Sequence, residues 1–455
     1  MKLSYRIGWL FIVLMLIVNC GQKRKNLSVP DQLIQKNHLA SHWVNDVQTE
    51  PANNYVLENG ELLLGNETIP ALSYSGYRKD TRGKGLPDQD DYCPTVAELK
   101  EDMKILAAMD IKLIRTYDTQ EYAHALRLLK AIHQLKKADP DFEMYVMLGA
   151  WIQCEGAYTE AVDHTVEDED FNKLEMDKAI ELAATYPDIV KIIAVGNEAM
   201  VTWQAHWVSA DIILKWVRYA KAAKEKAVNG YRLPRDVLLT SSDNFAPWGA
   251  EENYRNDDLV QLIKEVDFIS MHTYPFHDTH YNPEFWQIDF SDRNLSPEEK
   301  VQKSMNAAFE YAVDQYELVQ NYLKELNIIK PIHIGETGWA TQDDDLYTTP
   351  GSGATDEIKM KIYYDAIRQW SAANNISCFY FEAFDEPWKG GELGSESHFG
   401  LFTVDGKAKY ALWDMVDQGT FDGLTRGGNP ITKTYNGDYD RLRQEMLLPP
   451  QKTSK

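Results

Sequence analysis

The sequence predicts a single (β/α)8 TIM barrel, a closed parallel sheet of eight strands surrounded by helices. Eight apolar segments of strand length alternate along the chain with segments of helical pattern, which is typical of parallel strands buried on both faces. Eight such units favour a closed barrel over an open, doubly wound sheet. Two of the apolar segments also end on a glutamate, in AVGNE at residues 194–198 and in IHIGETGW at residues 332–339. Barrels of this kind carry their chemistry at the carboxyl ends of the strands.

The predicted strands are near-continuous apolar runs, and the segments between them show apolar residues at helical spacing. The first helix opens with a capping box, in which Thr95 precedes Glu98 by three positions. The predicted strands are residues 70–75, 111–117, 144–151, 192–197, 237–242, 268–273, 331–335 and 377–384. The predicted helices are residues 95–109, 120–137, 177–186, 209–228, 297–326 and 356–373.

The N-terminus has the pattern of an export signal. Lys2 and Arg6 flank the start of an apolar run at residues 7–18, which is too short to span a bilayer comfortably. The run ends before Cys20 and resembles the cleavage box of bacterial lipoproteins, although Asn19 replaces the usual Gly, Ala or Ser. We therefore expect an exported protein with a lipid on Cys20, anchored to the bacterial cell envelope at the outer membrane or in the periplasm.

The rest of the chain contains no second domain by its sequence pattern. The region from about residue 421 is polar, with GGNP and LPP segments, and is interpreted as an extension that wraps the barrel or forms a tail. The predicted organisation is a signal peptide at residues 1–20, a polar tether at 21–40, the catalytic barrel at 41–420 and a C-terminal extension at 421–455.

Charge and aromatic content both favour a neutral substrate. The formal net charge of −23 argues against nucleic acid, because phosphate binding needs clustered Lys and Arg. The chain holds 12 Trp, 25 Tyr and 15 Phe, and most of these rings belong to the core. Several tryptophans follow predicted strands, where flat rings suit the apolar faces of sugars: Trp151, Trp203, Trp207, Trp248, Trp339 and Trp388.

Cysteine usage does not indicate a disulfide framework. Apart from Cys20, the chain has Cys93, Cys154 and Cys378, an odd number. Cys93 and Cys154 both follow predicted strands and could meet at the catalytic face, either as free thiols or as a bridge. Cys378 lies in an apolar strand, where a buried and unreactive thiol is expected.

The two strand-end glutamates form the pair that glycosidic bond cleavage needs. Glu198 would act as the general acid, which must hold a proton at working pH. Glu336 would act as the nucleophile, which must be ionised. Retaining cleavage places two such carboxyl groups about 5–5.5 Å apart. The alternative is that they are unrelated structural acids.

Other chemistries find no support in the sequence. There is no zinc-type HExxH motif, no GxSxG motif and no glycine-rich phosphate loop after the first strand. The acidic clusters at residues 88–91 and 343–345 lack the spacing of a calcium loop and are interpreted as solvated charges. We expect neither a metal nor a cofactor.

With these motifs, the sequence resembles glycoside hydrolase family 17, the β-1,3-glucanase family of the retaining (β/α)8 glycosidase clan. GNE at residues 196–198 resembles the family's acid/base motif, and GETGW at 335–339 resembles its nucleophile motif, which usually continues with Pro where Ala340 stands here. The segments IRTYD at 114–118 and FEAFDEPWK at 381–389 also match. The resemblance implies that Glu198 is the acid/base on the fourth strand and Glu336 the nucleophile on the seventh.

The same resemblance implies further roles at the substrate site. Asn197 would bond the 2-hydroxyl of the sugar at the cleavage point, and Tyr117 would lie near the nucleophile or, alternatively, only pack at the barrel mouth. Tyr274 corresponds to a clan position that contacts the nucleophile. Glu386 and Lys389 would orient charge there or form a plain surface ion pair. Trp339 would form a sugar-stacking wall, with core packing as the alternative.

The expected function is therefore retaining, endo-acting hydrolysis of β-1,3-glucan by a monomer without a cofactor. Two alternatives remain open from the sequence. The first is a β-1,3-glucan transglycosylase with the same glutamates, and the second is a non-catalytic glucan-binding lipoprotein. The expected partner is the glucan, with no nucleic acid, and with contact to a membrane only through the lipid anchor.

Overall fold

The computed structural model describes residues 64, 69–79, 93–119, 124–390 and 393–453. The predicted signal peptide, the tether and the lipidation site at Cys20 lie outside these residues, as does most of the segment between the first strand and the first helix. Among the described helices, none combines the length and the apolar composition needed to cross a membrane.

Eight parallel strands close into a barrel, which confirms the predicted fold class. The first strand pairs with both the second and the last, so the sheet has no free edge. The barrel strands are β1 (Ala71–Ser73), β2 (Leu113–Arg115), β3 (Tyr145–Ala150), β6 (Val190–Asn197), β7 (Leu238–Asn244), β8 (Ile269–His272), β9 (Ile332–Gly338) and β10 (Cys378–Phe381). Two antiparallel pairs lie outside the barrel: β4 (Cys154–Glu155) with β5 (Asp163–Glu167), and β11 (Thr425–Arg426) with β12 (Asn429–Pro430).

Helices follow the strands and cover the outside of the sheet. The α-helices are α1 (Val96–Ala108), α2 (His124–Ala138), α3 (Glu169–Thr185), α4 (Ala210–Glu225), α5 (Asp257–Glu265), α6 (Pro275–Tyr281), α7 (Pro297–Glu325), α8 (Glu357–Ala373), α9 (Trp413–Asp417) and α10 (Tyr439–Gln444). The predicted capping box of α1 is present, because Thr95 Oγ1 accepts from the Glu98 amide at 3.2 Å and Glu98 Oε2 accepts from the Thr95 amide at 2.8 Å. These two bonds satisfy amides that the first turn would otherwise leave unpaired.

Side chains alternate between two apolar layers along the barrel strands. In β3, Tyr145 and Met147 point into the barrel, whereas Val146 and Leu148 pack against the surrounding helices. The interior layer also holds Leu113 and Ile192 from the neighbouring strands. This filled interior closes the lower part of the barrel, so that polar side chains gather at the carboxyl ends of the strands.

Several barrel strands are shorter than predicted, and the two antiparallel pairs outside the barrel were not predicted. The larger differences in the barrel itself lie on the helices. Helix α3 begins at Glu169 instead of residue 177, because Asp168 caps it by accepting from the Phe171 amide. The sequence prediction omitted α5 and α6. Helix α5 is only nine residues long and begins after Asn256, whose side chain accepts from the Leu259 amide.

The C-terminal segment contacts the outside of the barrel. Arg426 of β11 is buried, and its Nε donates to Asp102 of α1 at 3.0 Å. Near the end of the chain, Lys359 of α8 donates to the carbonyl of Leu447 at 2.7 Å. These contacts attach residues 421–453 to the helical layer, and the domain boundary at residue 420 stays a prediction.

Candidate active site

The carboxylate of Glu336 lies near the end of β9 and receives three hydrogen bonds. Arg115 Nη1 donates to Oε2 at 2.6 Å, Tyr117 donates to the same oxygen at 3.0 Å, and Tyr274 donates to Oε1 at 2.6 Å. Burial raises the pKa of Glu336, but the guanidinium of Arg115, the Tyr274 bond and the ammonium of Lys389 lower it by more, so that the net pKa is well below its usual value. The site therefore holds Glu336 as an anion, as a nucleophile requires.

Both tyrosines remain donors to this carboxylate. Burial and then the negative charge of Glu336 raise the pKa of Tyr117 and of Tyr274 well above the usual value. Tyr117 and Tyr274 thus lie where the sequence predicted them, beside Glu336, although their roles in turnover stay predictions. The alternative that Tyr117 only packs at the barrel mouth does not account for its hydrogen bond to Glu336 Oε2.

Gly335, immediately before Glu336, is required by the close approach of neighbouring strands. A Cβ atom at this position would lie 2.0 Å from Ser270 Oγ and 2.6 Å from Ser242 Oγ. Those hydroxyls bond each other at 2.7 Å inside the barrel. A larger residue would push β9 away from this pair and move Glu336 out of reach of its donors.

Glu198 lies beyond the end of β6, where the strand is irregular. The pairing of β6 with β7 shifts register between Ala194 and Asn197, and Gly196 and Glu198 have φ values of +82° and +44°. Such bulges re-aim side chains beside active sites. Glu198 Oε2 accepts from Gln204 Nε2 at 2.8 Å, and Oε1 lies 3.1 Å from His272 Nδ1.

Two buried groups fix the backbone around Glu198. His206 Nε2 donates to the Asn197 carbonyl at 3.0 Å, while its Nδ1 accepts from Tyr158 at 2.7 Å. Burial lowers the pKa of His206 to about 4, so the ring is neutral. On the other side of the turn, Asp243 accepts from the Met200 amide at 2.8 Å. The position of Glu198 is therefore set by the barrel and not by a mobile loop.

Arg115 and His272 connect the two glutamates. Arg115 Nη1, which bonds Glu336, also lies 3.3 Å from His272 Nε2. Since a guanidinium can only donate, Nε2 accepts and Nδ1 carries the proton donated to Glu198. Arg115 Nη2 also donates to Asn197 Oδ1, which leaves the amide nitrogen of Asn197 for a substrate hydroxyl. Glu198, Asn197 and Glu336 thus share one bonded network.

Glu386 and Lys389 form an ion pair in which Glu386 is buried and Lys389 is partly exposed, so the pair is not a plain surface ion pair. Lys389 Nζ lies 2.6 Å from Glu386 Oε2, and Glu386 is only 2% exposed. Lys389 also lies 4.1 Å from the ring centre of Phe381, and its charge contributes to the low pKa of Glu336. Close by, Glu382 is fully buried, and burial and then the charge of Glu386 raise its pKa well above the usual value.

The predicted stacking role of Trp339 is wrong. Its side chain is fully buried, and its indole nitrogen donates to the Ala354 carbonyl at 2.8 Å. The ring packs against Phe276 and Tyr363 in the helical layer. Trp248 is buried in the same way and donates to the Ser270 carbonyl. Of the other loop tryptophans, Trp203 is 60% exposed, while three are half-buried, namely Trp151, Trp207 and Trp388.

None of the described cysteines forms a disulfide. Cys93, Cys154 and Cys378 are all buried. Cys154 Sγ lies 3.3 Å from His164 Nδ1, and burial raises the pKa of Cys154 to about 11. Burial likewise raises the pKa of Cys378 to about 12, as expected for an unreactive thiol.

Sequence reasoning gave no role to several residues of this network. Arg115 lies in the IRTYD segment and His272 in the predicted strand 268–273, but nothing in their local pattern shows that both reach a glutamate on another strand. Glu382 lies in the FEAFDEPWK segment without a predicted role, and Gln204 lies in none of the motifs. In the described part of the chain, no group of three or more His, Cys, Asp or Glu side chains is arranged to hold a metal ion.

Comparisons with known proteins identify the family of this chain. Residues 71–400 match the family described as the BtgE/BtgC glycoside hydrolase domain. The crystal structure of an endo-laminarinase from Formosa Hel1_33_131 is 53% identical, with a TM-score of 0.80, over 85% of this chain and 96% of that chain. A glucan 1,3-beta-glucosidase of Schizosaccharomyces pombe is 24% identical over 72% of this chain and 84% of its own length. A glycoside hydrolase family 17 β-1,3-glucanosyltransferase from Rhizomucor miehei shares the fold, at 19% identity and a TM-score of 0.51 over 76% of this chain and 97% of that chain. The chain therefore belongs to the BtgE/BtgC glycoside hydrolase family, which confirms its resemblance to glycoside hydrolase family 17.

Proposed function

We propose that this protein hydrolyses β-1,3-glucan internally and with retention, using Glu336 as nucleophile and Glu198 as acid/base. The observation that carries the proposal is the unequal bonding of the two carboxyl groups within one network. Among the described residues, Glu336 receives three donors, one of them a cation, whereas Glu198 receives two, Gln204 and His272. A pair of carboxyl groups in different environments is the arrangement by which glycosidases divide the roles of nucleophile and acid.

In the first step, Glu336 attacks the anomeric carbon of the sugar at the cleavage point. The bond from that carbon to the leaving oxygen breaks, and Glu198 gives its proton to this oxygen. The product is a glycosyl ester on Glu336 and a shortened glucan with a free hydroxyl. Tyr274 and Arg115, which donate to Glu336 in the free protein, hold its carboxylate in position for the attack.

In the second step, Glu198 takes a proton from water. The resulting hydroxide attacks the same carbon, the ester bond to Glu336 breaks, and the sugar leaves with its original configuration. Each carboxyl group then has its starting charge. His272 and Gln204 hold the Glu198 side chain on the face where the leaving oxygen and the water act in turn.

The similar proteins support the linkage and the mode of cleavage. The Formosa structure is named an endo-laminarinase, and the yeast relative is named a glucan 1,3-beta-glucosidase. A net charge of −23 also suits an uncharged polymer. The exposed Trp203, five positions after Glu198, offers a flat apolar surface on the leaving-group side.

The export and anchoring of the protein remain part of this proposal. They rest on the N-terminal pattern and on Cys20 as the lipidated residue. Lipid on Cys20 would place the enzyme at the cell envelope, where a polymer too large to enter the cell can be cut. Labelling of cells with a palmitate analogue, compared between the natural chain and Cys20→Ala, tests this part separately from catalysis.

The test of the proposed function is product analysis on a panel of β-1,3, β-1,4 and mixed-linkage glucans. We expect cleavage of laminarin-type β-1,3-glucan, a rapid fall in chain length and short oligosaccharides with the β configuration. Glu336→Ala should give none of these products. Products longer than the starting oligosaccharide would favour the transglycosylase alternative, and binding without reducing-end release would favour the non-catalytic alternative.

A further inference from the structure

A cavity of about 310 Å³ lies between the segment that follows the last barrel strand and the C-terminal segment. Gln342 forms part of its rim and is exposed. Val404, and Tyr435 of the C-terminal segment, supply apolar surface. The lining also includes the buried side chains of Asp385, Glu357 and Lys409.

This cavity is separate from the catalytic pocket. Asp385 and Glu386 are consecutive in the chain but have different partners. Glu386 pairs with Lys389, which acts on the nucleophile. Asp385 Oδ1 instead accepts from Lys409 Nζ at 2.7 Å and from the Gly400 amide at 3.0 Å. The residues that line the cavity therefore include none of those that bond Glu336 or Glu198.

The ammonium group of Lys409, the cationic donor in the cavity lining, is already hydrogen-bonded to protein acceptors. Lys409 Nζ has three N–H groups, and it donates to Thr341 Oγ1 at 2.8 Å, to Asp385 Oδ1 and to the His398 carbonyl at 3.0 Å. Its charge is thus held by neighbouring acceptors. An anionic ligand would find no free cation here among the lining residues.

Two acceptor oxygens of buried residues, by contrast, have no donor from the described residues. Glu357 Oε2 accepts from the Tyr410 amide and from Thr434 Oγ1, both at 2.7 Å, while its Oε1 has no partner among the described residues. Among the same residues, Asp385 Oδ2 faces His398 Nδ1 at 3.7 Å, which is too long for a hydrogen bond. Glu357 and Asp385 both line the cavity, so these oxygens are available to a donor that enters it.

The chemistry of the lining selects a small ligand rich in hydroxyl donors. Burial raises the pKa of Glu357 to about 7, so near neutrality this carboxyl can accept from one hydroxyl or donate to another. Apolar surface from Val404 and Tyr435 suits the C–H face of a sugar ring. The volume is at the small end of the roughly 300–1,000 Å³ of ligand pockets, which fits one hexose ring.

We propose that this cavity binds one glucosyl unit of a β-glucan chain, as a site separate from the catalytic pocket. The inference rests on the proposed function for the choice of sugar. The protein would then hold the polymer at a second point while the glutamates act on another part of the chain or on a neighbouring chain.

The direct test is calorimetric titration of the full chain carrying Glu336→Ala with laminaribiose. We expect two binding events, and one of them should disappear when Val404→Trp fills the cavity. Ile329→Trp is the matched control, because Ile329 is 62% exposed just before β9, at the opposite end of the barrel. It should leave both events in place. The proposal would be overturned if laminaribiose bound equally to the Glu336→Ala protein and to the same protein carrying Val404→Trp or Ile329→Trp.

A second variant guards against misfolding. Glu357→Gln keeps the side-chain shape and an acceptor for the Tyr410 amide, but replaces the open acceptor by a donor, so it should weaken the second event at least tenfold. Unchanged affinity in a folded Glu357→Gln protein would also contradict the proposal. Titration with ammonium chloride tests the alternative of a cation site. Binding of ammonium that Val404→Trp abolishes, with no binding of laminaribiose at this site, would assign the cavity to a cation and overturn the sugar assignment.

Activity separates this inference from the proposed function. With Glu336 restored, Val404→Trp should leave kcat on laminaritetraose unchanged and raise KM for long β-1,3-glucan at least threefold. If the natural chain cuts no β-1,3-glucan, the proposed function fails. If it cuts the glucan and Val404→Trp changes neither binding nor KM, only the second site fails.

Discussion

His272 Nδ1 lies 3.1 Å from Glu198 Oε1, while the same ring faces Arg115 through Nε2. The imidazole is fully buried and also lies 2.8 Å from Ser242 through Nε2. The ring of His272 therefore connects Arg115, the cation that bonds Glu336, with Glu198. We infer that the side-chain positions of Glu198 and Glu336 depend on each other, because both are held by the connected pair of Arg115 and His272.

Replacement of His272 should therefore impair catalysis without removing a reacting group. We expect His272→Asn to lower kcat by about 10²-fold, because misplacement of a catalytic group by about 1 Å has an effect of this size. Steady-state kinetics on β-1,3-glucan measure the loss. His133→Asn is the control, since His133 is exposed on α2. Full activity of a folded His272→Asn protein would contradict a positioning role.

Loss of the nucleophile should be severe and chemically rescuable. Glu336→Ala should reduce turnover by about a thousandfold or more, because the covalent step has no substitute. Azide is a small anion that can occupy the space of the lost carboxylate, so it should partly restore bond cleavage and give a glycosyl azide of inverted configuration. Glu317→Ala, at an exposed site on α7, is the control. No azide product at any concentration would count against Glu336.

Loss of the acid should depend on the leaving group. Glu198→Gln cannot donate a proton, so it should abolish cleavage of natural glucan. An aryl glycoside with a good leaving group needs no such proton in the first step, and the glycosyl ester on Glu336 should then accumulate. A burst of phenol release, with a mass increase on the protein, is the expected signature. Equal losses on both substrates would argue for a different acid.

The pH dependence should reflect the donors around Glu336. Burial raises the pKa of Glu336, but the charge of Arg115, the Tyr274 bond and the charge of Lys389 lower it by more, so the anion persists to acidic pH. Tyr274→Phe removes a bond of 2.6 Å to Oε1. The pKa should rise, and the acid limb of kcat/KM should move to higher pH. A pH profile with an unchanged acid limb would show that Tyr274 does not tune the nucleophile.

The sequence predicted the parts of this site that have a local signal. Glu198 and Glu336 each follow an apolar run, so both could be placed at strand ends. Arg115 and His272 could be seen as strand residues, but their contacts arise only when closure of the barrel aligns distant strands. The predicted role of Trp339 is wrong because a residue directly after a barrel strand does not have to face the cleft. The loop that follows folds back over Trp339, whose indole donates to the Ala354 carbonyl.

The ion pair between Arg426 and Asp102 links the C-terminal segment to α1, and its loss should destabilise the whole barrel. Asp102 is fully buried and also accepts from Tyr74 at 3.0 Å and from Arg78 at 2.8 Å. Arg426→Ala would remove one of two cations from a buried carboxylate while Arg78 remains, so it should cost about 1.5–3 kcal/mol of unfolding free energy, as for the loss of a hydrogen bond to a charged group. Urea unfolding followed by tryptophan fluorescence gives this difference. Arg235→Ala removes a pair in which both side chains are at least 70% exposed, so it should have little effect. Similar midpoints for the two variants would mean that residues 421–453 rest on the barrel without stabilising it.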